Sequence, residues 1–379
     1  MMEAKETNVE LAIINMLKTC GIDTVLTLPC DRMKNLLSML PEHFKEIPLS
    51  REEGGMGIAA GLYMAGKKPA VVIQSTGLGN SLTALSSLHR TYDMPLPILA
   101  SWRGVYKEGI PAQVHFGKSL PGVLDSTGIP YMVGETPSDL PAIKKAIDQA
   151  FSDNSPWVVL LSPRIWERSM ARPTEMVPQP VERSYDISCT STVPAAIETR
   201  YGIIEGIAPY LRDKVVVSNI GIPSKELYSV LDQPTNFYML GSWGQASSIG
   251  IGLALGQQKR EVVVLDGDGS ILFNPNALGM AAQEGPSNLT IIAFDNTAHG
   301  STGNQPTYSS RMDLELLARA YGLKNTSKAA TAKALLSLLE RKYEGPRFIH
   351  VPVLARNADV PNIPATPVEI KKRFMSAIK

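Results

Sequence analysis

Val262 to Leu265 is an all-apolar run that leads straight into Asp266-Gly267-Asp268-Gly269-Ser270. A run of this kind ending in glycine and aspartate reads as a strand buried on both faces, and such strands belong to parallel sheets covered by helices. Open sheets of that kind bind ligands beyond the carboxyl ends of their strands, where Asp268 is expected to stand. Gly267 and Gly269 beside it let backbone approach a phosphate. A second buried strand, within Leu289 to Phe294, leads into Asp295-Asn296 after one crossover helix and delivers Asn296 to the same sheet edge. One carboxylate and one amide are hard oxygen donors of the kind magnesium takes when it shares its octahedron with a phosphate. Together they read as a split metal and diphosphate site, although Gly-Asp-Gly alone also ends many strands in turns that bind nothing.

Apolar runs of strand length alternate with amphipathic runs of helix length along the whole chain, the pattern of α/β folds. Strands are expected at Thr24 to Leu28, Glu46 to Leu49, Ala70 to Gln74, Pro97 to Ser101 and Trp157 to Leu161. After a helix at Pro194 to Leu211, they resume at Val215 to Asn219, Phe237 to Leu240, Val262 to Leu265, Thr290 to Phe294 and Phe348 to Val353. Between Pro163 and Thr192 the chain is rich in Pro, Arg, Glu and Ser without helical or strand period, which marks a linker. The expected division is a first domain over 1–165, a linker over 166–193 and a second domain over 194–379. Two halves of similar length suggest a duplicated fold, although no sequence repeat proves it. Gly250 to Gly256 follows no strand, so it reads as a closely packed helix and not a dinucleotide loop.

The 379 residues, 44% hydrophobic and 19% charged, suffice for two ordinary cores. A formal net charge of +1 gives no field to gather nucleic acid or an anionic membrane surface, so neither is an expected partner. Cys20, Cys30 and Cys189 have neither metal-ligand spacing nor the even count of a disulfide scaffold. The polar amino terminus lacks a signal-peptide core, and a cytoplasmic enzyme with reduced thiols is the expectation.

The Gly267-Asp268-Gly269-Ser270 run followed by Asn296 resembles the signature of the thiamine diphosphate enzymes. The resemblance implies two thiamine diphosphate-binding-fold domains, each a mainly parallel sheet flanked by helices, with no middle domain. It implies thiamine diphosphate and Mg2+ as cofactors, the metal held by Asp268, Asn296 and the Ala298 carbonyl. Asn219 and Gly221 are then expected at the diphosphate, and Gly241 and Trp243 beside the thiazolium, where relatives carry a smaller apolar residue than Trp. In this family a carboxylic acid drives the cofactor's aminopyrimidine to its activating tautomer. Glu52, at the end of the strand near Leu49 and five residues before Gly57, matches that position, with Glu53 as runner-up. Both glutamates also suit a helix amino terminus on plain electrostatic grounds. Burial is expected to raise the pKa of the activating glutamate.

Leu28 to Lys34, Gln74 to Asn80, Ser101 to Gly104 and Ser301 to Thr307 are similar to segments of the two-domain sulfopyruvate and phosphonopyruvate decarboxylases. Arg103 to Gln113 lies nearer the sulfo branch. The resemblance implies nonoxidative decarboxylation of a small anionic 2-keto acid, 3-sulfopyruvate to sulfoacetaldehyde and CO2 in coenzyme M biosynthesis, with phosphonopyruvate or a carboligation as alternatives. It also implies a homo-oligomer, at least a dimer, with sites between subunits. Gln74 to Asn80 follows a strand and opens a helix, so the amides of Gly77 and Gly79 suit an anion, with Thr76 and Asn80 as further substrate contacts, although turn glycines look the same. Arg103 offers a planar fork for the substrate's far anion or a surface salt bridge. Asp31 matches the family's catalytic acid and is equally an ordinary helix cap. Of the histidines, His115 and His299 are best placed to titrate in a cleft, and Thr302 falls in the loop that faces substrate in relatives.

Overall fold

The computed structural model describes residues 8–172 and 191–379. Most of the expected linker, and Cys189 within it, lie outside the described residues. The chain divides into two compact units, Met1–Glu53 with Lys67–Ser191, and Gly54–Gly66 with Thr192–Lys379.

The first unit is built on strands β1 (Thr24–Thr27), β2 (Lys45–Pro48), β3 (Pro69–Gln74), β4 (Leu96–Ser101), β5 (Tyr131–Gly134) and β6 (Pro156–Leu161). All pair in parallel, in the order β2-β1-β3-β4-β6-β5. The second unit carries β7 (Val215–Ser218), β8 (Asn236–Tyr238), β9 (Val262–Gly267), β10 (Leu289–Asp295), the short hairpin β11 (Ala298–His299) and β12 (Gln305–Pro306), then β13 (Asn325–Lys328) and β14 (Arg347–Pro352). Its parallel sheet runs β8-β7-β9-β10-β14-β13. Numbered within each sheet, the order is identical, second, first, third, fourth, sixth, fifth. The halves share a topology that their side chains do not repeat. Among the described residues there is no third sheet of this size.

The central strands are the apolar runs of the sequence. Val71 to Ile73, Ile98 to Ala100, Val262 to Leu265 and Ile291 to Phe294 are all buried, as strands covered on both faces must be. The edge strands β5 and β13 had no such signal. Tyr131, Met132 and Val133 are half-buried, and β13 is Asn-Thr-Ser-Lys, half-buried throughout. Lys328 on that edge pairs with Asp313 at 2.6 Å and Glu315 at 2.9 Å, so polar chemistry replaces apolar packing there.

The helix expected from Pro194 begins instead at Arg200 and runs to Leu211. Thr199 sets the start, its hydroxyl accepting the Gly202 amide at 3.1 Å as an N-cap. The small-residue run at 250–256 lies in the helix Ala246–Gly256, buried along nearly its whole length. Within the second unit, residues 54–66 approach this helix so closely that a Cβ on Gly61 or Gly252 would meet the facing backbone. Cys20 and Cys30 are buried free thiols. Among the described residues no helix is long and apolar enough to cross a membrane.

Candidate active site

Parallel pairing of β9 with β10 sets Gly267 opposite Phe294, so the residues that follow each strand emerge at one edge. They open onto a cavity of about 540 Å³ in the second unit. Of the residues singled out from the sequence, Asn219, Trp243, Gly267, Asp268, Gly269, Ser270, Asn296, Ala298, His299 and Thr302 line it. Gly221 and Gly241 are not in its wall. Gly221 instead caps the helix Ile222–Val230 at φ 78°, ψ −131°, a conformation that L side chains avoid, and so turns β7's exit into that helix.

Asp268 is 4% exposed. Its Oδ2 accepts from Thr307 Oγ1 at 2.5 Å and lies 2.9 Å from Ser309 Oγ. Ser309 Oγ is also 2.7 Å from Asp295 Oδ1, and one hydroxyl proton cannot serve both carboxylates. Burial pushes the Asp268 carboxyl upward, against the Thr307 hydrogen bond and with the negative charge of Asp295. Asp295 goes the other way. Burial opposes its ionisation, yet hydrogen bonds from His350 and Ser309 hold it below the usual carboxylate range. His350, fully buried, meets Asp295 Oδ2 through Nε2 at 2.9 Å. Nothing in the sequence reading connected His350, Thr307 or Ser309 to this site. The available signal was a polar residue inside the apolar strand Phe348-Ile349-His350-Val351.

A divalent cation fits these residues. Among the described residues Asp268 has no ion pair, so a buried carboxylate stands beside the Asn296 amide and the Ala298 segment without a counter-charge. The Asp268 carboxylate and the Asn296 amide, both in the cavity wall, make the mixed oxygen set that magnesium shares with a phosphate. Trp243 contributes the apolar wall. Its ring stacks at a tilt on Phe273 at 4.7 Å and meets His299 edge-on at 5.7 Å. Asp266, fully buried in the same wall, accepts from Ser247 Oγ at 2.7 Å and the Gly267 amide at 2.9 Å, and burial raises its pKa.

The remaining sequence candidates lie in the first unit and, His115 apart, form two groups. Glu52, at the start of the helix Glu52–Met64, accepts from Asn80 Nδ2 at 3.1 Å and packs against Gly77. Gly77 is thus small for want of space and not for a turn, since it lies inside the helix Thr76–Ala84. Within the chain Glu52 is half-buried. The buried glutamate is Glu53, whose pKa is raised by burial against its 3.3 Å ion pair with Arg51. The burial expected of Glu52 is therefore found one residue further on.

In the second group Thr76 Oγ1 bonds Gln74 Nε2, and Gln74 Oε1 accepts from Arg103 Nη1 at 3.1 Å. The same Nη1 donates to Asp31 Oδ1 at 2.6 Å. Arg103 Nε and Nη2 hold Glu108 in a fork at 2.7 and 3.0 Å. Arg103 is 2% exposed and its fork is engaged by Glu108 within the chain, so it is not a surface salt bridge. Two carboxylates engage its charge. His115 belongs to neither group and stands exposed on the helix Pro111–Thr127.

Two family models match the chain, the thiamine pyrophosphate enzyme N-terminal TPP binding domain over residues 7–128 and the C-terminal TPP binding domain over residues 220–351. Sulfopyruvate decarboxylase of Methanosarcina acetivorans is 48% identical over 381 residues, covering 98% of each chain. Phosphonopyruvate decarboxylase of Streptomyces viridochromogenes is 29% identical over 377 residues, covering 94% of this chain and 92% of that one. Among solved structures, benzoylformate decarboxylase from Polynucleobacter necessarius shares the fold with a TM-score of 0.70 at 15% identity, over 93% of this chain and 99% of that one.

Proposed function

Because the chain belongs to the sulfopyruvate decarboxylase family of thiamine pyrophosphate enzymes, we propose that it converts 3-sulfopyruvate and a proton to sulfoacetaldehyde and CO2, with thiamine diphosphate and Mg2+. The observation that carries the substrate is the 48% identity along nearly the whole chain, against 29% for the phosphonopyruvate enzyme. On this reading the reaction belongs to coenzyme M biosynthesis and runs in the cytoplasm, an assignment supported by the likeness to sulfopyruvate decarboxylase.

Asp268, Asn296 and the Ala298 carbonyl would hold the metal, with Asn219, Gly269 and Ser270 around the diphosphate. When bound, the cofactor supplies the electron sink for the carbanion left by CO2. Glu52 is the carboxylic acid directed at the cofactor's pyrimidine, oriented by Asn80 and by the flat face of Gly77. Trp243 keeps one wall dry, which strengthens every charge interaction within the cavity. His299 and Thr302 stand at the wall where a proton must be delivered and a carboxylate oriented. Asp31, largely exposed beside Arg103 at 2.6 Å, is the candidate acid of the first unit. Glu52 and the Asp268 cavity come together across subunits of at least a homodimer, as the family resemblance implies.

The test is aldehyde and CO2 release from purified protein with thiamine diphosphate and Mg2+, on sulfopyruvate, phosphonopyruvate and pyruvate in parallel. Preference for sulfopyruvate is the expected result. Preference for phosphonopyruvate overturns the substrate, and coupling to an added aldehyde in place of aldehyde release overturns the reaction type. Sedimentation of the holoenzyme as a monomer would remove the shared site.

A further inference from the structure

We propose that Arg200 is the cationic contact for the outer phosphate of the diphosphate in the second unit's cavity, an inference that rests on the proposed function. Arg200 opens the helix Arg200–Leu211 behind its Thr199 cap, at a place without any motif. It lines the cavity, and no other Lys or Arg does so among the described residues. The other titratable groups in the wall are Asp266, Asp268 and His299. A diphosphate carries more negative charge than one divalent cation neutralises, and apart from His299 the other titratable groups of this wall are carboxylates. A fixed guanidinium is what such a ligand lacks.

The guanidinium is held in place from behind. Its Nε donates to Glu226 Oε2 at 2.6 Å, and Nη2 donates to Asn357 Oδ1 at 3.0 Å. Glu226 is fully buried, and its other oxygen accepts the Ala358 amide at 3.0 Å. Asn357 donates in turn to the Gly300 carbonyl at 2.8 Å, so the anchor also ties down the loop after His299. Among the described residues Arg200 Nη1 donates to none, which leaves its hydrogens for a ligand. Glu226 belongs to the helix Ile222–Val230, whose first residues, Ile222 and Pro223, line the same cavity. Arg200 is therefore fastened to the element that carries the loop expected at the diphosphate.

The experiment titrates thiamine diphosphate and thiamine monophosphate, in excess Mg2+, into apoprotein of the wild type, Arg200→Lys, Arg200→Gln and the double variant Arg200→Gln/Glu226→Gln. Binding is read by calorimetry and by tryptophan fluorescence, since Trp243 lines the cavity. The double variant leaves no buried unpaired carboxylate, and it is the one read if Arg200→Gln alone fails to fold by circular dichroism. Loss of a charge-assisted contact weakens diphosphate binding about ten- to a hundredfold. Monophosphate affinity falls less, and Arg200→Lys recovers part of the difference. Unchanged diphosphate affinity, equal loss for both ligands, or a rise in KM for the 2-keto acid alone would overturn the inference. Failure of the wild type to bind thiamine diphosphate would instead remove the cofactor site that it presupposes.

Discussion

Glu52 is seated on Gly77, and a Cβ added to that glycine would come within 2.5 Å of both Cγ and Oε1 of the glutamate. The contact joins two segments that lie apart in sequence, the start of the helix Glu52–Met64 and the first turn of Thr76–Ala84. It fixes where the carboxyl of Glu52 can stand.

Gly77→Ala is expected to displace Glu52 without unfolding the protein, because alanine favours a helix where glycine does not. A misplacement of about 1 Å at a reacting group lowers kcat on the order of 10²-fold. Glu52→Gln should abolish turnover and leave metal binding in the second unit intact. Steady-state kinetics beside thermal melts check both, and near-normal kcat in Glu52→Gln would move the activating role to Glu53.

Arg103 and Glu108 govern acid stability in the first unit. Hydrogen bonds from Arg103, against burial, hold Glu108 at about 2, below its ordinary 4.5. A depressed carboxylate contributes stability that is fully present above its ordinary value and is lost as pH falls through the folded value. The pair's contribution should therefore fade between about pH 4.5 and 2. Glu108→Gln should lower stability at neutral pH and flatten this acid limb, as denaturant melts across the range would show. A parallel acid limb in the variant would contradict the assignment.

Asp268→Asn is expected to separate stability from function. A buried carboxyl whose pKa is raised above its unfolded value costs stability once pH exceeds the unfolded value, and the full cost is present above the folded one. The neutral amide removes that cost, so the apoprotein should gain about 0.5–2 kcal/mol at neutral pH. Mg2+-dependent cofactor binding should be lost in the same variant. Melts and calorimetry of the apoprotein test the two halves separately.

His350→Ala breaks a buried pair that reaches Asp268 through Ser309. Leaving Asp295 buried without its partner should cost about 3–5 kcal/mol. Its carboxylate would then bear more directly on Asp268 through Ser309. The variant should also change metal affinity, a readout that simple loss of packing would leave alone. Intact metal affinity in a folded His350→Ala would confine the residue to a structural role.

Central strands were legible in the sequence because burial on both faces demands unbroken apolar runs such as Val262 to Leu265. Tyr131–Gly134 and Asn325–Lys328 were not, since these two edge strands are only half-buried, whereas the buried edge strand Asn236–Tyr238 was. Asp268 and Asn296 were legible because each follows such a run directly, and parallel pairing brings consecutive strand ends to one edge. The expected helix start at Pro194 was misplaced for a local reason, the Thr199 cap.

By itself the sequence determined the class of fold and brought Asp268 and Asn296 to the second sheet's edge, both of which follow from local patterning, whereas residues 54–66 joined the second unit against the expected division. Tertiary structure alone decided which guanidinium keeps an open hydrogen-bonding edge. Arg103 is engaged by Glu108, 5 residues on, and by Asp31, 72 residues back. Arg200 is anchored by Glu226 and Asn357, the latter 157 residues away, and no local signal announces either outcome. A guanidinium has the same chemistry in both places. What differs is how many of its hydrogen bonds the folded chain has already taken, and that depends on contacts no stretch of sequence contains.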